Sequence, residues 1–218
     1  MRKIHEKLEQ RSEEWHNLRR GRITCSELSN ILTPAKLQLS KQAETFALVK
    51  ASERITGLTE PFVENWQMQR GVENEPIARE YYETVTNKKV KEIGFYEYNQ
   101  DFLFGYSPDG VVGEDGLIEI KCPSPAVHLN TLINKNIDGK YMLQMQGGML
   151  ASGRKWCDFV SYSEGLALSI IRVHRCEDTI EKIEENLLKF ELLINSVILE
   201  HNNAIKNGSL LTQKIQSL

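Results

Sequence analysis

Asp109 closes a Pro-Asp-Gly turn, Glu119 follows with nine residues between them, and Lys121 stands two positions further on. Side chains of these types could together hydrolyse a phosphodiester. That reaction needs a water made nucleophilic, the charge of a pentavalent phosphorus stabilised, and a leaving oxygen screened. Two carboxylates holding a divalent cation meet the first two needs, because the cation lowers the pKa of bound water and clamps phosphate oxygens. An ammonium beside them orients the attacking water or stabilises charge in the transition state. Carboxylates are hard oxygen donors suited to Mg²⁺, with Mn²⁺ as a substitute, and the backbone carbonyl of Ile120 can join Asp109 and Glu119 as a ligand. Taken singly these features are ordinary: Pro-Asp-Gly is a common turn, and Glu-x-Lys on an exposed strand is a common surface ion pair.

The elements that must position them come next. If residues 117–121 form a strand, Glu119 and Lys121 share one face while Ile118 and Ile120 point the other way into the core. A hairpin through Gly113-Glu114-Asp115-Gly116 would return Asp109 to the side of Glu119, clustering the three at a strand edge. Short β-prone runs at Val90–Tyr98, Phe102–Tyr106, Val111–Val112 and Leu117–Lys121, separated by Asn, Asp and Gly, predict an antiparallel meander. Before it, Ser12 to Gly21 reads as a short capped helix, a second begins at Thr24 or Ser26, and residues 41–56 and 64–86 read as longer helices, the last interrupted by Gly71 and Pro76. After it come helices at 125–136 and 139–152 and strands at Trp156–Ser163 and Ala167–His174. An amphipathic helix from Asp178 to Lys206 closes the pattern, with apolar positions such as Ile180, Ile183, Leu187 and Ile194. This order predicts an α/β (α+β) fold with a central mixed sheet flanked by helices. It forms one domain over 1–218, with N-terminal helices 1–87 packed on a core 88–175 and a C-terminal helix 176–206.

Composition bounds the function. The 218 residues hold 27 Lys and Arg against 30 Asp and Glu, a net charge of −3 that by itself argues against a nucleic-acid partner. The distribution is uneven: residues 1–54 carry eleven basic against seven acidic, 55–120 five against thirteen, and 121–175 seven against three. Basic blocks flanking an acidic one permit a cationic groove beside an acidic metal site, although such blocks also mark solvated faces. Cys25, Cys122, Cys157 and Cys176 lie far apart with no Cys-x-x-Cys pair, which predicts reduced thiols rather than zinc or disulfides. No apolar run approaches a membrane span, and the charged Arg2–Glu9 stretch is unlike a signal peptide, so a cytoplasmic protein is expected.

Four blocks carry a resemblance. Asp109, Glu119 and Lys121 match the PD-(D/E)xK nuclease signature, and Trp15-His16-Asn17-Leu18-Arg19-Arg20-Gly21-Arg22-Ile23-Thr24-Cys25-Ser26-Glu27 resembles the N-terminal signature of the phage lambda exonuclease family, the YqaJ-type viral recombinases. Arg70-Gly71-Val72-Glu73-Asn74-Glu75-Pro76, then Gly105 to Gly110 with Glu119 to Pro123, then Tyr141 to Gln146 follow in family order. The resemblance implies a restriction-endonuclease-like core in which Asp109, Glu119 and the Ile120 carbonyl bind metal. Lys121 assists the attacking water, and Glu75 and Gln144 complete the surroundings. It implies that Arg19, Ser26 and Ser107 form a pocket for a 5′-terminal phosphate, where a cation and hydroxyls suit a dianion. Read as residues alone, Glu75 and Gln144 are an exposed helix Glu and a helix-surface Gln, and Arg19 is a charge at a helix C-terminus.

Two positions depart from or stretch the pattern. Thr33-Pro34-Ala35-Lys36 stands where a further arginine is expected, and Lys36 could replace it only as a point charge. Met68 aligns with an apolar wedge that splits the duplex end, and is equally suited to a core. The implied activity is Mg²⁺-dependent 5′-to-3′ digestion of one strand of 5′-phosphorylated duplex DNA by a homotrimeric ring, in phage or prophage recombination, with a single-strand annealing protein as partner. A structure- or sequence-specific endonuclease would keep Asp109, Glu119 and Lys121 but need no terminal-phosphate pocket. An iron-sulfur nuclease would show clustered cysteines.

Overall fold

The computed structural model describes residues 2–59 and 66–207. At its centre is a five-stranded mixed sheet built from β5 (Val90–Lys91), β8 (Gly110–Val112), β9 (Gly116–Lys121), β10 (Trp156–Ser161) and β11 (Ser169–His174), in the order β11-β10-β9-β8-β5. The strands β9 and β10 run parallel, with Glu119 opposite Phe159, and the other pairs are antiparallel. A parallel step needs a long crossover, and residues 122–155 supply it as helices α5 (Pro125–Asn134) and α6 (Gly139–Ser152).

The expected single meander is divided. Strands β6 (Phe95–Asn99) and β7 (Leu103–Tyr106) form a second sheet with β1 (Arg2–His5) and β2 (Ile23–Thr24), in the order β1-β6-β7-β2. Pro108 has no N–H to continue a ladder, so the chain leaves one sheet at Tyr106 and enters the other at Gly110. The predicted run Val90–Tyr98 breaks at Gly94, where a Cβ would lie 2.1 Å from the Leu8 carbonyl oxygen. The first 87 residues are therefore not helices alone: they contribute β1, β2 and a small hairpin of β3 (Leu32–Thr33) and β4 (Gln38–Leu39).

Helix α6 lies between the two sheets and is buried almost all round, from Leu143 through Met145 to Ala151. It covers the face of the central sheet formed by Val111, Leu117, Cys157 and Phe159. The opposite face, with Ile118, Ile120 and Val160, takes Ala78 and Tyr82 of α4 (Trp66–Thr86). That helix runs unbroken through Gly71 and Pro76; residues 64 and 65 of the expected span lie outside the described residues. Tyr82 donates to Asp158 at 2.7 Å, and Asp158 is paired with Arg172. Helix α3 (Ala43–Thr56) leans on the closing helix α7 (Glu177–Lys206) through stacked Phe46 and Phe190 and an Arg54–Glu191 ion pair.

The short α1 (Glu13–Arg19) starts where Ser12 accepts from the Trp15 N–H. Thr24 and Glu27 form a capping box over a 3₁₀ turn at Cys25–Glu27, which leads into α2 (Leu28–Ile31). No helix among the described residues is long and apolar enough to cross a membrane.

Candidate active site

The ladder between β8 and β9 ends at the pair Gly110 and Ile118. Ile120 lies one step beyond it on the same edge, where its N–H would have no strand to meet. Instead it donates to the Asp109 carboxylate at 2.6 Å. In a strand the N–H and C=O of one residue leave from the same edge, so the Ile120 carbonyl opens on the side where Asp109 stands. The turn at Pro108 and the loss of register thus place a carboxylate and a carbonyl together.

Glu119 corrects an expectation. The three residues were expected at a strand edge, but β9 is the middle strand, and Glu119 is 0% exposed beneath α6, which also rules out an ordinary surface ion pair with Lys121. Its carboxylate is ion-paired with the Lys121 ammonium and accepts from the Tyr106 hydroxyl at 3.4 Å. Burial pushes the carboxyl up to about 7; Lys121 pulls it down and Asp109 adds to the rise. Burial also opposes charge on Lys121, but Glu119 and Asp109 outweigh it and hold the ammonium above its ordinary value. Lys121 further sits 5.3 Å from the Tyr141 ring centre.

Glu75 reaches the site from α4. Burial, then the charge of Asp109, pushes its carboxyl up to about 7, against the pull of Arg79 and Arg11. Arg79 is bonded to Glu75 at 2.7 Å and to Glu92 at 2.6 Å. Glu75, Asp109, Ile120 and Lys121 line one cleft of about 660 Å³, with Met68 and Tyr141 among its other walls. Gln144, one turn after Tyr141, is half-buried and is not among those walls.

Among the described residues no three His, Cys, Asp or Glu side chains converge to hold a metal. The oxygen set is instead two carboxylates and one carbonyl. Even with Lys121 paired to it, burial holds the Glu119 carboxyl above its ordinary value, so further positive charge would favour its ionised form, and hard oxygen donors around it fit a small dication.

A second cluster shares the Ser107–Asp109 loop. The Arg19 guanidinium lies 4.1 Å from the Trp15 ring centre and donates to Ser107 and Thr24 at 3.3 and 3.4 Å. Trp15 donates its indole N–H to Ser107 at 2.8 Å, and the Thr24 and Ser26 hydroxyls are 3.3 Å apart. Burial lowers the Arg19 pKa against the opposing charge of Glu27 and Glu53, neither of which forms an ion pair with it among the described residues. A guanidinium held this way, with three hydroxyls around it, suits a phosphate.

Of the expected site residues, Asp109, Glu119, Ile120, Lys121 and Glu75 are brought together, as are Arg19, Ser26 and Ser107. Met68 joins the cleft wall. Lys36 stands exposed on the β3–β4 turn, and nothing among the described residues links it to the Arg19 cluster. Trp15, Thr24, Tyr106, Tyr141, Arg11 and Arg70 were missed as site residues. Trp15 and Arg19 lie four apart on one helix, a spacing that puts them on one face and could have flagged the pair.

A family model described as a YqaJ-like viral recombinase domain matches residues 14–155. No curated protein sequence matches the chain. Among solved structures, an alkaline exonuclease (LHK-Exo) from Laribacter hongkongensis is similar at 34% identity and a TM-score of 0.81, covering 90% of this chain and 99% of its own. Its complex with dAMP is similar to the same degree, covering 91% and 100%. A phage-related exonuclease from Haemophilus somnus 129PT shares the fold, at 18% identity and a TM-score of 0.67, covering 85% and 98%.

Proposed function

Because the chain belongs to the YqaJ-like viral recombinase family and resembles an alkaline exonuclease over nearly its whole length, we propose that it is a Mg²⁺-dependent 5′-to-3′ exonuclease of double-stranded DNA. It digests one strand to mononucleotides and leaves a 3′ overhang for single-strand annealing. The observation that carries the reading is the sharing of one loop by two clusters: Ser107 bonds Arg19, and Asp109, two residues on, bonds the Ile120 amide. A terminal phosphate held at Arg19 would lie beside the carboxylates that cut. The complex of a relative with a deoxynucleoside monophosphate supports a mononucleotide product.

Asp109, Glu119 and the Ile120 carbonyl would hold the cation, with Mn²⁺ able to replace Mg²⁺. When bound, it supplies Lewis-acid polarisation of the phosphate and acidification of water. Lys121, anchored by Glu119, positions the attacking water and faces the charge that develops on phosphorus. Glu75 takes up a proton at its carboxylate, helped by a pKa near the working range. Gln144 would complete the water environment, although it does not line the cleft itself. Arg19, Ser26 and Ser107 register the 5′ end, Lys36 supplies a more distant charge, and Met68 wedges the duplex end.

The working form is a homotrimeric ring in the cytoplasm of a bacterial host, with a single-strand annealing protein as partner. Linear duplex labelled at either end, digested with Mg²⁺ or EDTA and bearing 5′-phosphate or 5′-hydroxyl termini, tests the reading. Metal-dependent loss from phosphorylated 5′ ends is expected. Internal cuts, or indifference to the end group, would move the function to an endonuclease on the same site.

A further inference from the structure

We propose that Arg11 and Arg70 form a two-arginine phosphate clamp in the catalytic cleft, gripping the backbone of the strand being cut; the proposal rests on the DNA-nuclease reading above. The cleft presents an electrostatic problem. Asp109 and Glu75 line the cleft where a polyanion must enter, with the buried Glu119 behind them, and Lys121 and Arg79 close to them are already committed. Lys121 is paired with Glu119, and Arg79 with Glu75 and Glu92. Of the three cationic side chains lining the cleft, Arg11, Arg70 and Lys121, only the two arginines form no ion pair among the described residues, although Arg11 is near enough to Glu75 to act on its carboxyl.

Each is placed by the fold. Gln10 donates its side-chain amide to the Ile93 carbonyl at 3.0 Å and to the Pro108 carbonyl at 2.9 Å, which fastens the N-terminal segment to the residue next to Asp109. Arg11 follows with φ of 72°, a left-handed conformation that a non-glycine residue adopts only where its surroundings hold it. Arg11 lines both the catalytic cleft and a second hollow of about 450 Å³, and both are also lined by Glu75 and Asp109. Its side chain therefore stands where the two meet. Arg70 lines the same cleft from α4, with its guanidinium 5.1 Å from the Trp66 ring centre, and its Nε is buried without a hydrogen-bond partner. A buried guanidinium N–H with no acceptor is unfavourable unless a ligand supplies one. Phosphate oxygens do so, and guanidinium is the group that binds them bidentately.

The test is equilibrium binding of 5′-phosphorylated duplex by the full chain in EDTA, titrated over a range of salt concentrations. Each lost phosphate contact reduces the slope of log K against log[salt] by about 0.9. Arg11→Gly, which suits the left-handed backbone, and Arg70→Gln should each flatten the slope by about that amount, and the double variant by about twice as much. Arg11→Lys and Arg70→Lys should keep the slope near that of the unaltered chain. If the unaltered protein binds and cuts DNA but the neutral variants keep its slope, the clamp is wrong and the nuclease reading stands. If the unaltered protein neither binds nor cuts DNA, both fall.

Discussion

At the scale of single residues, the two raised carboxyls make stability depend on pH in an unusual direction. Glu119 and Glu75 have folded values of about 7, above the ordinary 4.5. Between those values the folded chain binds more protons than the unfolded chain, so stability falls as pH rises through that window and levels off above it. Glu6, Glu83 and Glu177 are held below the ordinary value by bonds from Lys91, the Val90 N–H and Arg175, so their contribution is lost only as pH falls below about 4.5 and does not mask the effect. A dication binds the ionised carboxylates and competes with their protons. The metal-free melting temperature should therefore drop from pH 5.5 to pH 8, and Mg²⁺ should raise it more at pH 8 than at pH 5.5. A metal-induced shift that is the same at both would count against Glu119 as a ligand. Lys121→Ala and Asp109→Ala should each cut the cleavage rate roughly a thousandfold, the scale of losing several kcal/mol of charge stabilisation, with circular dichroism unchanged. For Arg19→Ala, loss of charge-assisted hydrogen bonds of about 1.5–3 kcal/mol should slow digestion of 5′-phosphorylated ends roughly ten- to a hundredfold. Hydroxyl ends should barely respond, and equal losses on both would remove the pocket.

At the scale of elements, α6 links the two sheets, and its glycines set how closely they approach. A Cβ at Gly148 would lie 2.8 Å from carbons of the Tyr106 ring, which is 1% exposed and whose hydroxyl bonds Glu119. Gly148→Ala gains about 1 kcal/mol of helix propensity but meets overpacking of about 1–3 kcal/mol, because a buried aromatic ring cannot swing aside. A net loss of about 1 kcal/mol, seen as a lower urea midpoint, should accompany reduced cleavage as Tyr106 is displaced. A stabilised, fully active variant would show that this contact does not position Glu119. The same helix explains what was legible in the sequence. Its run of helix-forming Lys, Met, Leu and Gln, the 3.6-residue pattern of α7 and the alternation in β9 are local, and all three elements stand where they were expected. Strand partnership is not local: β6 and β7 read like a continuation into β8 and β9, but Pro108 sends them to different sheets. Strands of two residues such as β2 and β3 carry no period at all. Asp109, Glu119 and Lys121 could be found from residue type and spacing, whereas the burial of Glu119 depends on α6 arriving from later in the chain. Arg11 carries no sequence signal, since its place in the cleft follows from a backbone angle.

At the scale of the whole molecule, a chain of net charge −3 must hold a polyanion while cutting it. Arg19, Arg11 and Arg70 are local cations in an otherwise acidic setting, and attraction of this kind weakens steeply with salt. If the chain digests processively as proposed, long runs would need a means of retention other than charge. The proposed ring around the duplex would supply one, because a closed ring leaves its substrate only at an end, whatever the ionic strength. Capture and travel should consequently respond differently to salt. If reactions are started at low salt and then challenged with high salt and an excess of unlabelled duplex, new ends should go untouched while strands already engaged continue to shorten. Light scattering should at the same time report a species of three 25.0 kDa chains. Should engaged strands stop as soon as the challenge is added, or the chain remain a monomer at every working concentration, retention would be electrostatic after all, and the enzyme would have to release and rebind its substrate within a few nucleotides.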